Sequence, residues 1–361
     1  MKTKLSIISL SAVIILAIVM ITAINIQKDR DSKQADKVVP AEDTITTSVQ
    51  TEIEDIPAET VIPLEPEAVE TLSVSFANVR DVAVWDERVA AGTEGGVFTY
   101  LPEDSSYQFY HAGAGLDEGD VNCVLPLADK LYVGGENGLA EIDLAGNIEK
   151  LEFGFDAPVN ALAEYDGTLL IGTEEDGLIA WSYGFSNCLL EVPQISAVVS
   201  ADDQIWVATR GHGLYSFDGR KWQKRFLIED STALDYVTDL GYKFNRIYAT
   251  TAFGLYVFDG GRWKLYNEED GLLVCDLTAV DFSGWKIIVS TSDWGIYEIF
   301  EDIVTPKAWS EGMEVTALAS NGNLTAIGTP ADGIYIAQGG SISHVNPSPQ
   351  TFTRPALALL P

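Results

Sequence analysis

Cysteine, histidine and basic residues are all scarce in this chain. Its 361 residues hold 3 cysteines, 3 histidines, and 22 lysines and arginines against 54 acids. Three cysteines cannot build a disulfide scaffold, and Cys123, Cys188 and Cys275 lack metal-ligand spacing. His111, His212 and His344 fall far apart, so a metal site made of imidazoles is not expected. The net charge of −32 leaves no basic footprint for phosphates, which excludes nucleic acid as a partner. It equally argues against peripheral attachment to anionic lipid. A Gly-x-Ser-x-Gly elbow and a phosphate-binding loop are both missing, as is any helix-length apolar periodicity after Ile26. What remains is 47% hydrophobic residues and 31 glycines, enough for a substantial core punctuated by many turns.

The chain opens with Lys2 and Lys4, then runs from Leu5 to Ile26 without a charge, near the length that spans a hydrocarbon core. Residues 1–27 are therefore expected to be an N-terminal transmembrane anchor. A cleaved signal sequence, with secretion, is the alternative, because Ile21-Thr22-Ala23 is a tolerable but poor cleavage site. Lys28, Arg30, Lys33 and Lys37 come directly after the segment and count against the usual orientation rule. A hydrophobic N-terminal segment nonetheless normally exports the chain behind it, so the body is expected outside the cytoplasm. Residues 28–70 lack hydrophobic periodicity, and Val38 to Glu70 is rich in Pro, Glu and Thr with no Lys or Arg. Such a segment reads as an extended, disordered linker.

Residues 71–361 repeat one pattern seven times. Apolar runs start at Val79, Val121, Val159, Ile195, Val237, Leu277 and Val315. After each comes a second run that ends in a small residue, usually followed by Thr, as in IWVAT before Arg210. A short polar loop comes next, then a third run opened by Gly: Gly96, Gly138, Gly177, Gly213, Gly254, Gly295 and Gly333. A weaker fourth run completes the unit, often after an Asp-Gly turn such as Asp218-Gly219 or Asp259-Gly260. Short runs of β-branched and aromatic residues between turn formers are strands. Four antiparallel strands in about 40 residues make one propeller blade. The expected fold is all-β: a β-propeller of seven four-stranded blades, with eight blades and a composite last blade as the alternative. Two segments compete for the last strand of blade 7, Leu72–Phe76 and Gly340–Val345. Pro355–Leu360 looks like an eighth first strand with no blade behind it.

Ile205–Gly219, IWVATRGHGLYSFDG, resembles the two-component regulator propeller repeat, whose units run apolar-Trp-Val-Gly-Thr, a turn, then Gly-Leu-Tyr-x-Phe-Asp. The match is good in repeats four and five, fair in the others, and spans about Val79 to Pro347. The marks of WD40 and kelch blades are missing. The resemblance implies a ligand-binding, sensor-type propeller. In that family the propellers usually precede membrane and kinase regions. This sequence contains neither after its repeats, so a separate signalling or envelope protein is expected as partner.

Alternating strand direction puts the second-to-third loops and the blade-to-blade linkers on one face. That face collects Glu94, Glu136, Glu175, Asp293 and Asp332, with Arg210 as its clear cationic exception and His212 beside it. Such a field concentrates cations and steers basic partners. Phe253 and Trp294 lie in the same loops and are candidate anchors for a partner. Glu174-Glu175-Asp176-Gly177 and Glu268-Glu269-Asp270-Gly271 offer oxygens to Ca²⁺, but neither has the alternating ligands of a calcium loop, so no cofactor is expected. The third residues of the first strands, among them Asp81, Cys123 and Asp239, are expected to line the axis. The expected function is a membrane-tethered module that binds a basic or cationic protein or small ligand on its acidic face. The alternative is a hydrolase or lyase working through carboxylates of that face.

Overall fold

The computed structural model describes residues 69–116, 120–225 and 233–355. The expected anchor and nearly all of the expected linker lie outside these residues. Among the described residues no helix is long and apolar enough to cross a membrane. The chain divides into two compact units: residues 73–352, and residues 1–72 with 353–361.

Residues 73–352 form seven four-stranded antiparallel sheets, each built from consecutive strands. The inner strand of blade 1 is Val79–Trp85, followed outward by Arg88–Thr93, Gly96–Leu101 and Ser106–Tyr110. The same order repeats to blade 7: Ala317–Ser320, Leu324–Gly328, Ile334–Gln338 and Ser341–Val345. Seven blades are present, and the eight-blade alternative is overturned. Gly340–Val345 supplies the outer strand of blade 7, and Leu72–Phe76 does not. The first described strand, Val69–Val74, instead pairs with Gln350–Pro355 in a separate two-stranded sheet. This pairing uses the start of the segment expected to begin an eighth blade.

Burial explains the composition of the strands. A second strand is covered by neighbouring blades on both faces, so it reads as a continuous apolar run rather than an alternating one. Five of the six residues of Gln204–Thr209 are buried, and the same holds for Thr168–Thr173. Outer strands are covered less, as in Trp222–Arg225 and Ile303–Pro306, and the first of these is correspondingly polar.

The loop between second and third strands is locked by the threonine that ends the second strand. In six blades its hydroxyl donates to the carbonyl of the glycine that opens the third run, as Thr251 does to Gly254 at 3.0 Å. The same oxygen accepts a loop N–H in all six blades, from Gly95, Asp176, His212, Phe253, Trp294 and Asp332 in turn. Blade 2 has Gly135 in place of the threonine. The glycine is required twice over at Gly254: its φ is 122°, and a Cβ would overlap the Tyr266 carbonyl oxygen.

Without strand exchange, the ring closes by side-by-side packing of blades 7 and 1. Val79 donates its N–H to Thr329 O at 2.9 Å, and Gly333 donates to Ala77 O at 2.9 Å. The Thr316 hydroxyl donates to Val79 O at 2.7 Å. The Val79 side chain packs so closely on Gly328 that a Cβ there would stand 2.7 Å from Val79 Cγ1. Beneath them Phe76, Val82 and Phe98 of the first blade share one core with Leu324, Ile334 and Ile336 of the last.

Two stability measurements test this account. Gly254→Ala should cost about 2–4 kcal/mol from backbone strain and overlap combined. Gly138→Ala, whose Cβ would meet nothing nearer than Phe153 at 3.6 Å, should cost only about 1–2 kcal/mol for its left-handed conformation. Equal losses in urea denaturation would refute the overlap argument. Thr316→Val should cost about 1–2 kcal/mol by orphaning the Val79 carbonyl, and no change in midpoint would remove Thr316 from the closure.

Candidate functional site

The inner strands do not run evenly. In blades 1, 2, 3, 4 and 6 their pairing register slips between the first and third residues. A bulge of this kind re-aims the side chain it carries. In these five blades the second residue therefore joins the third at the axis, instead of pointing to the opposite face of the blade. Counted from Val79, Val121, Val159, Ile195, Val237, Leu277 and Val315, the second and third residues of all seven first runs line an axial cavity of about 370 Å³. Its mouth, a further hollow of about 440 Å³, opens on the face of the second-to-third loops and is bordered by Arg80, Asn122, Glu136, Asn160, Glu174 and Arg210.

A polar chain runs around half of this mouth. Arg80 donates to Asp120 Oδ2 and to Asn122 Oδ1, both at 2.7 Å. Asn122 donates to Asn160 Oδ1 at 3.2 Å and to Glu136 Oε1 at 3.3 Å. Asn160 donates to Glu174 Oε2 at 2.6 Å. The Arg210 guanidinium, in contrast, has no hydrogen bond or ion pair among the described residues. Its backbone is held by Gln194 O at 2.9 Å and a bridge to Tyr236.

Deeper in the ring three carboxylates join neighbouring blades. Asp81 accepts from Val82 N and, across to blade 2, from Val124 N, each at 2.8 Å. Asp239 bonds Leu240 N at 2.7 Å and Val280 N of blade 6 at 2.9 Å. Asp281 does the same with Phe282 N at 2.7 Å and Ser320 N of blade 7 at 2.5 Å. The cavity reaches Asp81 and Asp239, and both are half-buried in its wall. Burial pushes the Asp81 carboxyl up to about 7, against the Val124 hydrogen bond and with help from the charge of Asp239. Burial likewise raises Asp239 and Asp281 to about 6 each. Raised carboxyl groups in a cavity often mark chemistry. Here both oxygens of each are committed to backbone N–H groups, which is a structural duty. The Cys123 thiol beside Asp81 is also pushed up, first by burial and then by that carboxylate.

Of the nine residues singled out from the sequence, Glu136 and Arg210 border the mouth. Glu94 accepts a hydrogen bond from Asn78. Glu175, His212, Phe253, Asp293, Trp294 and Asp332 are exposed on the loops outside the mouth. Phe253 is 58% exposed and Trp294 43%, so neither folds onto its own blade completely. The expectation of one clear cation on this face needs correction. Arg80 stands at the mouth, and Lys224 reaches Asp235 of the same face at 3.2 Å. His344 also belongs there, its Nε2 donating to the Asp332 carbonyl at 2.7 Å while its ring stacks on Tyr335. Glu268–Asp270 forms a short 3-10 turn capped by Asn267, with Asp270 accepting from the Asn267 N–H. Among the described residues no group of three or more Asp, Glu, His or Cys is placed to hold a metal ion. Arg80, Asn122 and Asn160 were missed because strict alternation assigns them to the wrong face. The repeated polar residue beside the first apolar one was the available signal.

No family model matches the chain, and no curated protein matches its sequence. Solved structures do. The WD40 propeller domain of Doa1 aligns with a TM-score of 0.57 at 15% identity, covering 77% of this chain and 97% of that one. The computationally designed protein Ika8 gives 0.54 at 14%, covering 73% and 98%. PorZ, described as an essential bacterial surface component of the type-IX secretion system of Porphyromonas gingivalis, gives 0.58 at 14%. That match covers 78% of this chain but 39% of PorZ. The chain is a β-propeller. Identities this low establish the fold and nothing finer.

The buried acids predict a pH dependence. Their folded pKa values lie above the unfolded value near 3.8, so the folded state binds more protons between about pH 4 and 7. Their contribution is complete below the unfolded value and is lost as pH rises through 6 to 7. The melting temperature should therefore fall from pH 4.5 to 7.5. Asp81→Asn should melt lower throughout, because its amide faces the Val124 N–H, but with a shallower fall between pH 6 and 7.5. An unchanged slope would clear Asp81 of this role.

Proposed function

We propose that the chain is a non-enzymatic binding module, tethered to a membrane through residues 1–27 and displayed outside the cytoplasm. Its loop-bearing face would receive a basic or cationic protein in sensing or envelope assembly. The observation that carries this reading is the combination on one rim of exposed carboxylates with two exposed aromatic side chains. Glu175, Asp293 and Asp332 supply attraction at distance, while Phe253 and Trp294 supply apolar contact area. The likeness of IWVATRGHGLYSFDG to two-component regulator propeller repeats supports a sensor-type role. The fold shared with PorZ, a bacterial surface component, supports an envelope setting. Both carry weight as analogy only.

Capture of envelope proteins on the full chain at low and at high salt tests the electrostatic half. Partner yield should drop at high salt, where exposed charges are screened. Recovery of the same partners in the same amounts would sink it. Trp294→Ala should weaken the captured partner by about tenfold or more, mainly through faster dissociation. Unaltered binding by both Trp294→Ala and Phe253→Ala would remove the aromatic anchors from the interface.

A further inference from the structure

The mouth of the axis has a charge arrangement that the rim does not share. The first residues of the second-to-third loops in blades 1 to 7 are Glu94, Glu136, Glu174, Arg210, Ala252, Ser292 and Pro330, and those of blades 2, 3 and 4 border the mouth. Acid is therefore confined to blades 1–3, a base stands in blade 4, and blades 5–7 are uncharged. Glu136 and Glu174 border the same hollow as Arg210. Arg80 is also there, but Asp120 neutralises it at 2.7 Å. Each glutamate receives an amide N–H and no cation, from Asn122 and Asn160 respectively. The mouth thus offers one uncompensated guanidinium and two uncompensated carboxylates to a single occupant.

The chemistry of that occupant is set by exclusion. A simple anion would gain Arg210 but suffer Glu136 and Glu174. A simple cation would gain the glutamates and suffer Arg210. A molecule carrying both charges satisfies both sides. The axial cavity below shares Arg80, Asn122, Asn160, Arg210 and Thr316 with the mouth and is walled by small residues such as Ala161, Ala197 and Ala279. Its volume of about 370 Å³ lies in the range of small-molecule sites. The unpaired Arg210 side chain can take a carboxylate through two parallel N–H bonds.

We propose that the mouth of the axis is a binding site for a free amino acid, with Arg210 on its carboxylate and Glu136 and Glu174 on its ammonium group. The side chain of the ligand points into the axial cavity. This site stands independently of protein capture by the rim.

The test is a thermal-shift screen of the full chain against the twenty L-amino acids at millimolar concentration, followed by calorimetry on whichever binds best. Its N-acetyl derivative, which lacks the ammonium, and its methyl ester, which lacks the carboxylate, should each bind about tenfold more weakly or worse. Arg210→Gln, an exposed substitution expected to leave the melting temperature of the free protein unchanged, should weaken the amino acid by about tenfold but leave the ester unaffected. Glu174→Gln should act the other way, sparing the N-acetyl derivative. The proposal is overturned if no amino acid binds, if either blocked derivative binds as well as its parent, or if Arg210→Gln binds the parent normally. Partner capture by Arg210→Gln separates the two readings. Lost amino-acid binding with retained capture is the expected result, while failure of the unsubstituted chain to capture a partner, with its amino-acid binding intact, faults the rim alone.

Discussion

Everything in the ring depends on how the first residues of one inner strand hold the next. Thr316 donates to Val79 O, Asn122 to Val159 O, Ser196 to Val237 O and Thr238 to Leu277 O. In each case a short polar side chain at the second position reaches the first carbonyl of the following blade. Asp81, Asp239 and Asp281 add the reverse connection, a carboxylate accepting the backbone N–H of the next inner strand. Seven sheets have no continuous hydrogen-bonded ladder between them, so these bonds and the apolar packing outside them are what keep the blades in register.

That requirement shapes the centre. Strands converge there, and side chains must be small, yet the backbone groups they expose need partners. The outcome is a polar axial cavity walled by alanines, hydroxyls, amides and two acids, Asp81 and Asp239. Burial then holds those acids well above their usual range, which ties ring stability to pH. The same polar centre opens at one face into the hollow that carries Arg80 and Arg210. Structure and function meet at the bulge, because the device that seals neighbouring blades also aims side chains into the mouth.

Much of this was legible in the sequence. The seven glycines, all of positive φ, and the threonines before them announced a repeated locked turn. The axial position of Asp81, Cys123 and Asp239 came from counting along the strand. Arg80, Asn122 and Asn160 did not, because a period of two sends adjacent residues to opposite faces. One slipped residue in five of the seven blades defeats that rule, and nothing in a single repeat displays the slip. The aromatic residues Phe253 and Trp294 were placed on the right loops, but their exposure depended on the packing of neighbouring blades.

By itself the sequence determined the all-β class, the repeated four-stranded unit, the face that gathers carboxylates and the glycines that each turn demands. These are local matters, settled within one repeat of about 40 residues and multiplied by repetition. Only the tertiary structure decided how the ring closes, which charges are compensated and which side chains meet at the axis. Thr316 and Val79, separated by 237 positions, become hydrogen-bond partners. Asp120 takes Arg80 out of play, whereas Arg210 has no side-chain partner among the described residues. Such pairings depend on distances between different repeats, and those distances exist only once seven sheets have converged on a common axis.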